Sequence, residues 1–154
     1  MKTFRPFLIT LLLLALVTAC KKKESAPEPD RTALLTAKPW KIDKVLVNGS
    51  PVTPATIQSV LGSTALLGQL TTSDVVFKTD GTFTATNRTS AQKTEGTWSF
   101  KENSTKLRLD AAAQGYDFTV KSLSDKNLNI STPYTYSVGG FPVTITADFE
   151  LVPA

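Results

Sequence analysis

The 154-residue chain has no histidine and a single cysteine, Cys20. Without an imidazole there is no general base to activate a serine or cysteine, which removes triad and Cys-His hydrolysis. One thiol cannot form an intrachain disulfide or a multi-cysteine zinc cage. No metal, cofactor or catalytic residue is therefore expected, and the fold must hold by its apolar core alone. Charge is sparse as well: charged residues make up 19% of the chain, and residues 45–73 carry none. The net charge of +4 falls to +2, from 15 basic and 13 acidic residues, once residues 1–19 with Lys2 and Arg5 are set aside. Lys21, Lys22 and Lys23 hold much of what remains, outside the expected domain, so no basic face for nucleic acid is expected. With 41% apolar residues the chain is too apolar to be disordered throughout.

Residues 1–19 have the pattern of an export signal. Lys2 and Arg5 precede an apolar run, Phe7–Val17, of about eleven residues. A membrane span needs about 20, so a cleaved signal is expected rather than a transmembrane anchor. Val17-Thr18-Ala19-Cys20 resembles the lipobox of bacterial lipoproteins, in which small residues precede the cysteine. The resemblance implies diacylglycerol on the Cys20 thiol, cleavage before it, and acylation of the new amine, as by palmitate. The alternative is an ordinary secretory signal with a chance cysteine. Two or three acyl chains make a stable membrane anchor, at about 0.8 kcal/mol per buried CH₂. Residues 20–33 then form a tether: Pro27, Pro29 and charges of both signs, with no apolar period, favour a solvated, partly extended linker. Lys21–Lys23 either touch lipid headgroups or keep the linker soluble.

Residues 34–154 are the expected domain. From Asp74 the apolar period becomes two, with short turns between runs, so the expected class is all-β. Eight strands are predicted, near 40–48, 73–79, 82–87, 94–100, 105–110, 116–123, 127–138 and 141–152. Hairpin connections and one apolar face per strand predict an eight-stranded antiparallel up-and-down barrel, with a two-sheet sandwich as the rival. Between the first two strands, Ile57, Val60, Leu61 and Ala65 fall at helical spacing, interrupted by Gly62 and Gly68. Pro54 suits a first helical turn, with Thr53 as N-cap. This short helical segment is either a lid over a cavity or a plug completing the core.

The inward aromatic set is Trp40, Phe77, Phe83, Trp98, Phe100, Tyr116, Phe118, Tyr134 and Tyr136. These residues line either a cavity for a small hydrophobic ligand or a filled core. Tyr134 and Tyr136 are the natural polar handles, since a buried phenol seeks a partner. The carboxylates do not make an acid-base pair: Asp148 and Glu150 alternate with Phe149 and face outward, Asp110 and Asp117 flank a hairpin, and Asp80 forms a turn.

The sequences KPWKIDKVLVNG, FKTDGTF, GTWSF and LSDKNLNI behind a lipobox resemble the lipocalin-like lipoproteins of Bacteroidetes. The resemblance covers residues 34–152. It implies a non-catalytic envelope protein, anchored to the outer membrane through Cys20, that binds a small apolar molecule. The alternative is a filled barrel serving as a protein-interaction or structural module of an outer-membrane assembly. Acidic residues do not follow the cysteine closely, which favours the periplasmic face over the cell surface.

Overall fold

The computed structural model describes residues 30–61 and 66–154. The expected signal segment, Cys20 and the tether up to residue 29 lie outside the described residues, as do Gly62 and Ala65. Helix α1 (Arg31–Thr36) opens the described chain, three residues ahead of the expected domain start at 34. Asp30 is its N-cap: the carboxylate accepts the Thr32 N–H at 2.9 Å. Leu35 on this helix is fully buried, and its carbonyl accepts the Trp40 indole N–H at 2.8 Å. That bond satisfies the polar atom of a fully buried tryptophan and fixes α1 under one end of the sheet.

Strand β1 (Trp40–Val47) switches phase midway. Trp40 and Ile42 face inward, then Val45 and Val47, and the register shifts between Ile42 and Lys44. A bulge at this point lets a strand change parity without losing its buried face. Asn48 and Gly49, both at positive φ, turn β1 into β2 (Ser50–Val52), a ninth strand too short to show an apolar period.

After two helices, β3 (Ser73–Phe77), β4 (Thr82–Asn87), β5 (Lys93–Lys101), β6 (Lys106–Ala111), β7 (Gln114–Leu123), β8 (Leu128–Val138) and β9 (Phe141–Pro153) follow as a meander. Each is antiparallel to the next, and β9 pairs with β1 from Trp40↔Pro153 to Val47↔Ala147. That ladder closes eight strands into a barrel and eliminates the sandwich. The wall is thinnest between β1 and β3, which pair only at Trp40↔Val75 and Lys41↔Asp74.

Gly96 shows how tightly the wall packs. It pairs with Phe83, and a β-carbon on it would lie 2.6 Å from the Phe83 ring and 2.3 Å from the Asp110 carbonyl. A glycine is needed at this position so that the Phe83 ring can lie across the strand.

The expected single helical segment is two helices, α2 (Pro54–Leu61) and α3 (Leu66–Leu70). Thr53 caps α2 as expected, its hydroxyl accepting the Thr56 N–H at 3.2 Å. Gly68 lies within α3 instead of interrupting it. The α3 segment is tied to the barrel rim by polar contacts. The Leu66 N–H donates to Gln114 Oε1 (3.1 Å), and the Thr94 hydroxyl donates to Gln69 Oε1 (2.6 Å). The Arg88 guanidinium donates to the carbonyls of Thr71 (3.1 Å) and Ser73 (3.0 Å), holding the chain as it enters β3. Helix α1 thus covers one end of the barrel, and α2 and α3 cover the other, the mouth.

Candidate functional site

The nine aromatic residues predicted to face inward fall into four groups. Phe83, Phe77, Trp98 and Phe100 form a chain of ring contacts at 6.1, 5.9 and 5.6 Å. Tyr116, Phe118 and Phe149 form a second, at 6.3 and 6.0 Å. Trp40 sits apart over α1, and Tyr134 and Tyr136 stack on each other at 6.4 Å toward the mouth. Phe100, Tyr116 and Tyr134 are only partly buried, packed against the core from its margin.

Among the described residues these rings border no enclosed ligand-sized space. Inside the barrel is an apolar hollow of about 20 Å³, bordered by Ile42, Val75, Phe118, Phe149 and, from α3, Leu67 and Leu70. Room for a water or two is far short of the 300–1,000 Å³ of a small-molecule pocket. Of the nine aromatics only Phe77 and Phe118 border it. The helical cap fills the rest: Leu66, Leu67 and Leu70 are all buried in the core. The segment was expected as a lid or a plug; that these leucines form the plug was not visible, because Leu66 and Leu67 sit beside a glycine in a short, uncharged run with little period.

A second apolar hollow, of about 80 Å³, lies at the mouth between α2 and the β8–β9 hairpin. Val47, Val52, Thr56, Ile57, Tyr136, Ile145 and Ala147 line it. Tyr136 is therefore the predicted handle that reaches a cleft. Tyr116 is instead held in its neutral form, its pKa raised by burial and then by the neighbouring Tyr134.

The carboxylates face outward as the alternation predicts, and they are used in ion pairs. Arg108 donates to both Asp110 oxygens at 3.0 Å from Nε and to Asp117 at 3.0 Å from a terminal nitrogen. The bond from Arg108 holds the Asp110 carboxyl below its usual range. For Asp148, burial acts to raise the pKa, but hydrogen bonds from Lys121 and Ser131 prevail and lower it. No cluster of three metal-ligating side chains occurs among the described residues.

A closed eight-stranded antiparallel barrel with an apolar interior and a helical cap over one end defines a class of small β-barrel proteins. The family model for the lipocalin-like domain matches residues 36–130, more than half of the chain, and the chain belongs to that family. No functionally curated protein matches it. Among solved structures it is similar to a DUF4847 family protein from Bacteroides vulgatus, at 13% identity and a TM-score of 0.43, covering 75% of this chain and 93% of that one. It is also similar to bovine odorant binding protein in complex with a selenium-containing odorant. That match has 16% identity and a TM-score of 0.48, covering 86% of this chain and 77% of the other.

Proposed function

We propose that this protein is a lipid-anchored envelope lipoprotein whose barrel binds a small hydrophobic molecule without catalysing a reaction. The anchor is Cys20, on the strength of the Val17–Cys20 lipobox pattern, and the place is the outer membrane, on its periplasmic face. The observation that carries the binding reading is the closed, apolar-lined barrel of a lipocalin-like domain, in which the leucines of α3 fill the space a ligand would need. Removing one leucine side chain from a core leaves on the order of 150 Å³ when the site does not collapse. Withdrawal of Leu66, Leu67 and Leu70 opens a few hundred Å³ by that measure, the size of a ligand pocket.

Exposing each leucine costs about 1.5–3 kcal/mol, so a ligand must bury comparable apolar area to displace the plug. The 80 Å³ cleft beside α2 is a foothold for that exchange.

The test is native mass spectrometry of the chain purified from its own host without detergent, before and after organic extraction. A stoichiometric apolar adduct that leaves on extraction supports the carrier and identifies its ligand class. A bare mass, with no rise in Tm across a panel of fatty acids and isoprenoids, overturns it. The small interior hollow favours a second reading in that event, a filled barrel acting as a protein-interaction module.

A further inference from the structure

The β8–β9 hairpin extends beyond the barrel wall. Register pairing between β7 and β8 stops at Thr119↔Ser131, two residues before Pro133, which has no N–H to offer a neighbouring strand. On the other side β9 leaves β1 at Val47↔Ala147. Asn48 still bonds Thr146 through two hydrogen bonds of 2.9 Å, and the Thr132 hydroxyl donates to the Asp117 carbonyl at 3.1 Å. Beyond them residues 133–145 form a two-stranded ribbon whose strands pair with each other. The pairs Tyr134↔Ile145, Tyr136↔Val143 and Val138↔Phe141 place an apolar stripe on one face. The other face carries Thr135 and Thr144, whose hydroxyls are 2.7 Å apart. At the apex Phe141 is 75% exposed and Val138 53% exposed, the largest exposures of big apolar side chains among the described residues. Residues 127–147 contain no charged side chain, and neither do residues 45–61 and 66–73, which include the helices at the mouth.

We propose that this apex docks on the uncharged, zwitterionic surface of a lipid bilayer, with Phe141 and Val138 entering the acyl boundary. A protein partner fits less well. Two large exposed side chains supply far less than the roughly 800 Å² per partner of a stable interface. A bilayer demands no matching shape, and it accepts an apolar apex with tyrosines set behind it at headgroup depth. The absence of lysine and arginine from the ribbon argues against recognition of anionic lipid.

The chain lengths agree. Ten residues from Cys20 to Asp30 span at most about 35 Å. The 13 residues of β9, inclined as barrel strands are, stand about 33 Å tall. Fully extended, the tether just reaches along the barrel from α1, so the apex rests on the leaflet that holds Cys20 with the tether drawn out. That agreement rests on the anchor reading. The apex itself does not, and it is tested without the anchor.

The experiment is cosedimentation of the chain from residue 20 onward, carrying Cys20→Ser, with phosphatidylcholine vesicles. Binding is expected, unchanged in 1 M salt since no ion pairs support it. Phe141→Ser is expected to weaken partitioning about tenfold or more, with Tm unchanged because the side chain is exposed. Phe141→Trp is expected to emit at shorter wavelength when vesicles are added. No binding, binding only to anionic vesicles that salt reverses, or binding indifferent to Phe141→Ser overturns the proposal. Concentration-dependent self-association without vesicles, lost in Phe141→Ser, overturns it in favour of a second copy as the occupant.

Discussion

Leu67 on α3 and Phe118 on β7 border the same hollow of about 20 Å³, although one belongs to the cap and the other to the wall. Both are fully buried. The cap is therefore part of the core of this barrel, and opening the mouth and emptying the interior are one event.

Gly96→Ala is expected to destabilise the barrel by about 1–3 kcal/mol, the usual effect of overpacking. The added methyl meets the Phe83 ring on one side and the Asp110 carbonyl and Ala111 on another. Urea denaturation measures it, and Gly96→Ala combined with Phe83→Leu should recover part of the loss.

Ser122→Ala is expected to raise stability by about 1 kcal/mol. The Ser122 hydroxyl is buried and has no hydrogen-bond partner among the described residues, beside the register shift between Val120 and Ser122 in β7. Removing an unpaired buried polar atom relieves its desolvation penalty. Thermal unfolding followed by circular dichroism reads the change.

Ala113→Gly is expected to stabilise by about 0.5–1 kcal/mol. Ala112 and Ala113 form the two-residue turn between β6 and β7 with φ of 50° and 62°, a conformation that suits Asn-Gly. The relief of left-handed strain, about 1–2 kcal/mol, exceeds the entropy lost on fixing a glycine, about 0.5–1 kcal/mol. Equilibrium unfolding of the single variant is the check.

Stability is expected to fall as pH drops below about 4. The carboxyls of Asp80, Asp110 and Asp148 are all shifted down in the fold: by the Thr82 side chain, by Arg108, and by Lys121 and Ser131 overcoming burial. A depressed pKa stabilises above the unfolded value near 3.9, and this is lost as pH falls through the folded one. Tyr116 shifts upward, so its contribution is complete below about pH 10 and is lost above it. A Tm-pH profile flat between these limits, with a shallower acid limb for Asp148→Asn, is the predicted result.

Much of the barrel was legible because a half-buried strand writes its face into every second residue. The bulge in β1, where the inward face passes from Trp40 and Ile42 to Val45 and Val47, was not predicted, because it breaks the period of two. Helix α1 has the weaker signature of one acidic N-cap before a short apolar pair, and β2 is three residues long, too short for any period. The filling of the interior was not legible. Whether Phe77, Trp98 and Phe118 surround a void depends on where the α3 leucines sit, and side-chain periodicity does not record volume. The ion pair of Arg108 with Asp117 was hidden for a similar reason, since it joins β6 to β7 through register.

The most direct test of the plugged barrel is a fluorescence titration of an apolar probe, N-phenyl-1-naphthylamine, into the native chain and into Leu67→Ala. The substitution weakens the plug that the probe must displace, by the transfer energy of one buried leucine, about 1.5–3 kcal/mol. The account predicts one site in both proteins and at least about tenfold tighter binding in Leu67→Ala, despite its lower Tm. Binding in neither protein, or tighter binding in the native chain, contradicts it.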